Sequence, residues 1–303
     1  MFTFAGKLHI NNFSCIMANV IKIKKGLDIN LKGKASDVLL NGGKSDSYAI
    51  VPDYYNGILP KVVAKVGEKV KAGSVLMIDK NRPEIKFVSP VSGEVTAVNR
   101  GEKRKVLSIV VKPDAQIEYE EFGKKNVASL QGAEVKEVLL NAGMWPFIKQ
   151  RPYDIVAAPL DTPRDIFVSA FYSAPLAPNF DFIVKGQEAD FQTGLNALAK
   201  LTNGKVYVGV RSGSVVSGMK GVEIVEVEGP HPAANVGVQI NHIKPVNKGE
   251  VVWTVNPADV IVIGRLFNKG VADFSRMVAI TGSETTERGY VKTISGCTIK
   301  SLV

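Results

Sequence analysis

The side chains able to do chemistry are few and scattered along the chain. His231 lies between two prolines in the run Gly229-Pro230-His231-Pro232. Imidazole titrates near neutrality, so it could hand a proton or a hydrogen bond to a carbonyl group. A turn locked by its prolines accounts for the same residues more simply. Trp145 and Phe147, in the stretch Asn141 to Ile148, could face a partner or a flat ring, because aromatics are enriched at interfaces. Packing in a core accounts for them equally well. His242 falls in an apparent strand alternation after Ile240 and reads as structural. His9 sits near the start of the chain. Gly209 to Val215 suggests a phosphate loop, but it lacks the G-x-G-x-x-G spacing and reads better as a turn. Cys15 and Cys297 form no C-x-x-C pair and share no metal-ligand spacing with the histidines. No catalytic triad order or paired carboxylates stand out, so the expectation is no catalytic residue and no metal.

The bulk properties narrow the classes further. At 303 residues the chain is long enough for two or three domains, and 45% apolar with 22% charged residues is a globular composition. A net charge of +9 favours anionic partners. The densest basic cluster, Arg100 to Lys105, has no aromatic neighbours on which bases could stack, which argues against nucleic acid. No run approaches the roughly 18 apolar residues of a membrane span. The first 16 residues lack a secretory pattern, and Met17 precedes a strand-like alternation, so translation is expected to start at Met17 rather than Met1.

The elements that must position these residues fall into blocks. Residues 17–113 are rich in short β-branched runs broken at Gly67, Gly73, Gly93 and Gly101, with Gly67-Glu68-Lys69 echoed by Gly101-Glu102-Lys103. Two similar β-lobes folded on each other would give that echo. The Val-Gly-Glu turn and the run from Ser89 to Val95 resemble the biotinyl/lipoyl domains, a barrel-sandwich hybrid. Those domains present a lysine on a hairpin tip for a swinging cofactor. Counting back eight positions from Pro90 gives Arg82, whose guanidinium stays protonated and accepts no acyl group. The resemblance therefore implies the scaffold without the carrier chemistry, and leaves a biotin or lipoate carrier as a rival reading that Arg82 opposes.

Residues 114–255 begin with a connector, continue with a helix near Val135, and then alternate strands with helices, which argues for a mostly parallel, Rossmann-like α/β domain. Strands are expected at Asp154, at Asp165, at Phe182 to Val184, at Lys205 and at Gly221, with a helix over 189–202. Residues 256–303 read as β again, with strands at Val260–Ile263, Met277–Thr281 and Tyr290–Ile294. This last block looks like the start of a β-grasp of the SLBB type, cut short at the C-terminus.

That order of modules, with the blocks Ile23 to Asp28, Asn99 to Arg104, Gly204 to Val208, Gly229 to Ala233 and Asp259 to Phe267, resembles the alpha subunits of the bacterial sodium-translocating NADH:quinone reductases. The RNF complex C subunit and the flavin subunit of respiratory complex I are more distant likenesses. The resemblance implies a peripheral subunit on the cytoplasmic face of the bacterial inner membrane, in a complex that oxidises NADH, reduces quinone and exports Na⁺. Its partners would be other subunits, membrane-embedded ones included, with quinone contact open and Trp145, Phe147 and His231 as quinone-proximal candidates. The relatives' glycine-rich flavin turn corresponds to Asn141 to Ile148, where one glycine remains and Met144, Trp145 and Phe147 would fill the phosphate space. This chain is thus expected to bind no cofactor itself, leaving NADH, flavins and an iron–sulfur centre to other subunits. A flavin- or nucleotide-binding electron-transfer subunit is the principal rival.

Overall fold

The computed structural model describes residues 19–42 and 44–302. The expectations for residues 1–16, with His9 and Cys15, lie outside them, as does the choice of Met17 as the start. Nine strands come first: β1 (Asn19–Lys22), β2 (Leu39–Leu40), β3 (Tyr48–Ile50), β4 (Pro60–Val62), β5 (Lys69–Val70), β6 (Val75–Asp79), β7 (Lys86–Val88), β8 (Gly93–Arg100) and β9 (Val106–Pro113). The order β3-β9-β8-β5 makes one antiparallel sheet and β4-β6-β7 a second. Leu76, Ile85, Val95, Ile109 and Val111 are fully buried in the core these strands share with the rest of the chain.

The chain then runs through α1 (Gly132–Asn141), β10 (Ile148–Arg151), β11 (Ile155–Val156), β12 (Ile166–Ser169), α2 (Phe180–Val184), α3 (Glu188–Ala199), β13 (Val206–Val210), β14 (Glu223–Glu228), α4 (Val236–Ile243), β15 (Val252–Val255) and α5 (Pro257–Lys269). Their sheet has the order β1-β14-β13-β12-β15-β10-β11. Strands β1, β14, β13, β12 and β15 are parallel, and β10 and β11 close one edge antiparallel. Successive residues of a strand point to opposite faces. Accordingly Ile166 and Val168 pack in the cluster that holds α3 and α5, while Phe167 packs with Ile240 of α4. Helices α3 and α5 approach so closely that a Cβ at Gly264 would lie 1.7 Å from the Asp190 carbonyl oxygen. Finally β16 (Ser275–Ile280) and β17 (Gly289–Ile294) pair antiparallel, and β2 joins β17 in parallel.

Four sequence expectations need correction. Val260–Ile263 is helical, inside α5. Phe182 to Val184 belongs to α2, and His242 to α4. All three helices open on an asparagine whose side chain caps a backbone N–H: Asn179 to Asp181, Asn235 to Gly237, and Asn256 to Ala258. An Asn cap satisfies a donor that the helix itself leaves free. In α5, Pro257 at the first position and Gly270 in the left-handed conformation complete the start and stop signals. The fourth correction concerns grouping. Strand β1 joins the α/β sheet beside β14 rather than the N-terminal β module, and α5 packs on α3 rather than opening the C-terminal one.

Candidate functional site

Arg82 is the first expected residue whose role the geometry defines. Its Nε donates to Asp79 Oδ2 at 2.7 Å, Nη1 to the Val156 carbonyl at 3.1 Å and Nη2 to the Gly57 carbonyl at 2.9 Å. Asp79 is buried, and its other oxygen accepts from the backbone of Leu59 and Asn81. The planar fork of a guanidinium suits such a cluster in a way an ammonium does not. The hairpin that would swing in a carrier domain is therefore pinned to β11 of the α/β domain.

The segment after α1 turns at Gly143 (φ 67°), where a Cβ would lie 2.6 Å from Val88 Cγ1, so the turn presses on β7. Met144 and Trp145 are fully buried. Trp145 donates its indole N–H to the Ala157 carbonyl at 2.8 Å and meets Trp253 edge-on at 5.4 Å between centroids. Phe147 is half-buried, edge-on to Phe274 with centroids 6.1 Å apart.

Two cavities meet at this point. One, of about 290 Å³, lies between all three sets of strands, with Tyr55 and Phe87 from the first, Phe147 and Lys149 from the second, and Phe274 and Arg276 from the third. The other, of about 280 Å³, shares Phe147, Lys149 and Asp259 and reaches Ser169, Tyr172 and Asn256. It lies at the carboxyl ends of β12 and β15. Open α/β sheets place their ligands at such crevices.

The charges at this junction are half-buried, the Arg276 and Asp259 side chains keeping 27% and 16% of their exposure. Arg276 Nη2 donates to Asp259 Oδ1 at 2.9 Å. Burial pushes the Asp259 carboxyl above its usual range, against the opposing pull of Arg276 and Lys149. Burial lowers the Lys149 ammonium, and Asp154 and Asp259 only partly offset it. Burial also raises the Tyr55 and Tyr172 phenols, each to about 12. Lys149, Asp259, Arg276 and Tyr55 escaped sequence reasoning. Of these only Asp259 carried a signal, a charge set directly before the apolar run Val260 to Ile263.

The three expected candidates are not brought together. Phe147 lines both cavities, Trp145 is part of the core, and His231 is on the wall of neither. His231 Nδ1 lies 3.1 Å from Ser173 Oγ, and its backbone N–H donates to Asp28 Oδ1 at 2.8 Å. His242 Nδ1 lies 2.8 Å from the Val238 carbonyl on its own helix. At the glycine-containing turn after β13, Asp181 Oδ1 accepts from Ser214 Oγ at 2.6 Å and from Val215 N at 3.3 Å. A carboxylate of the chain thus sits where a phosphate loop would hold its ligand. Among the described residues, no cluster of His, Cys, Asp and Glu could hold a metal, and no helix is long and apolar enough to cross a membrane.

Residues 21–114 match the NqrA N-terminal barrel-sandwich hybrid domain, and residues 130–272 match the NqrA second alpha/beta domain. The chain belongs to the NqrA family. The strands that build the two antiparallel sheets and the α/β sheet with its pinned hairpin fall within those two matched regions, β1 beginning just before the first. Among NqrA relatives, the A subunit of the Na(+)-translocating NADH-quinone reductase of Hahella chejuensis is 38% identical over 288 residues, which is 93% of this chain and 64% of that protein. The proteins of the same name from Neisseria meningitidis serogroup A and Photorhabdus laumondii are each 36% identical over 287 residues, with the same coverage. The chain thus spans 64% of the length of these curated relatives.

Proposed function

We propose that this chain serves as the NqrA (alpha) subunit of a sodium-translocating NADH:quinone reductase, with a peripheral framework role, docking on membrane-embedded partners at the cytoplasmic face. The alignment of relatives bearing that name over 93% of the chain carries the reading. In this reading NADH, flavins and the iron–sulfur centre belong to other subunits. Support comes from the segment that replaces a glycine-rich flavin turn, because Met144 and Trp145 occupy the core there. The pinned Arg82 hairpin adds a second support, since it leaves the barrel no mobile carrier arm. A quinone ring reaching this chain would meet Phe147 rather than Trp145 or His231. The C-terminal sheet of β16, β17 and β2 is consistent with a β-grasp module of the SLBB type.

The test is to coexpress the tagged full-length protein with its complex and to purify the chain alone in parallel. The expected result is copurification of the partner subunits through a moderate salt wash, and no flavin absorbance near ~450 nm in the isolated chain. A stoichiometric flavin on the isolated chain would replace the framework role with an electron-transfer one.

A further inference from the structure

The 290 Å³ cavity has a charge imbalance that the framework role does not use. Among the described residues on its wall, Asp259 is the one carboxylate, and it faces two cations, Lys149 and Arg276. Arg276 already reaches Asp259 Oδ1 through Nη2. Lys149 Nζ and Arg276 Nε are sealed from solvent and have no acceptor among the described residues. Buried polar atoms are nearly always hydrogen-bonded, and a buried charge without a partner is costly. The Tyr55 ring, with its centroid 5.3 Å from Lys149 Nζ, offsets part of that cost through its π face but accepts no conventional hydrogen bond. What the site lacks is one anionic acceptor. Much of the rest of the wall is aromatic: Tyr55 stands edge-on to Phe87 at 4.8 Å, and Phe147 edge-on to Phe274 at 6.1 Å.

We propose that this cavity binds a small planar monoanion, an aromatic carboxylate, whose carboxylate meets Lys149 and whose ring lies on the aromatic wall. The flexible four-carbon stem of the lysine lets its ammonium turn toward the ligand oxygen. A handful of placed polar groups in a mostly apolar pocket is the usual make-up of a small-molecule site. This binding rests on the cavity alone and stands apart from the role in the reductase.

Calorimetric titration of the full chain with 2-naphthoate and with 2-naphthamide, its uncharged counterpart, tests it. Naphthoate should bind at least about tenfold more tightly, a difference of about 1.4 kcal/mol. Lys149→Met should reduce that preference to under about twofold, at the scale where a charge-assisted bond is lost. Phe147→Ala should weaken both compounds and leave their ratio intact. Equal affinities for the two compounds, or binding of neither, would overturn the proposal. So would an unchanged preference in Lys149→Met, and so would chloride at matched ionic strength displacing naphthoate fully, which would mark a site for inorganic anions only.

Discussion

Replacing Arg82 by alanine tests the pinned hairpin most directly. The substitution removes one charge-assisted bond to Asp79 and two bonds to carbonyl oxygens of Gly57 and Val156. It leaves the Asp79 carboxylate, 1% exposed, with only the backbone donors of Leu59 and Asn81. Breaking a buried pair by removing one partner costs about 3–5 kcal/mol. Arg82 is itself 21% exposed, so water can reach part of the vacated space. All three bonds come from the charged guanidinium, but such contributions are not additive and water refills part of the site, so a loss of about 2–4 kcal/mol is expected. Arg82→Lys keeps the charge but not the fork, and should lose about 1–2 kcal/mol. Urea unfolding followed by tryptophan fluorescence reads this well, because Trp145 is hydrogen-bonded to Ala157, the neighbour of Val156. If Arg82→Ala unfolds within about 0.5 kcal/mol of the parent, the range of an ordinary surface substitution, the hairpin is not held as argued.

Further outcomes can be checked independently. The Arg82→Lys chain, coexpressed with biotin and lipoate ligases, should show the bare polypeptide mass, because the hairpin tip is docked; a biotinyl or lipoyl increment on residue 82 would show that it is free. FMN and NADH should bind the isolated chain no more tightly than ~10 µM, about 6.8 kcal/mol, with calorimetry as the readout. For Asp273, burial raises the carboxyl, but bonds from Ser275, the charge of Arg265 and a bond from Lys269 outweigh it and hold the group at about 2. A depressed pKa stabilises the fold above the ordinary value of 3.8 and loses that contribution as pH falls toward 2. Asp273→Asn should therefore cost about 2 kcal/mol near neutrality and flatten the loss of stability between those two pH values, measured by urea midpoints.

The sequence by itself determined the order of the barrel-sandwich hybrid and the α/β domain, and placed arginine at the position where a carrier would have lysine. Short β-branched runs cut by glycines specify two small antiparallel sheets, and the helix carrying Phe191, Leu195 and Leu198 is legible from its apolar stripe alone. Arg82 could be read as a lost attachment point because residue chemistry is local. The helices opened by Asn179, Asn235 and Asn256 were hidden, because their apolar runs are as short as strands and only the caps distinguish them. The tertiary structure alone decided where β1 pairs, since an edge strand takes its partner from a sheet formed more than 200 positions later. It also decided the junction of Tyr55, Lys149, Asp259 and Arg276. Each of these is an ordinary residue in its own segment. They become unusual only when three sets of strands close around them and take away much of the water around the three charged groups and the Tyr55 phenol.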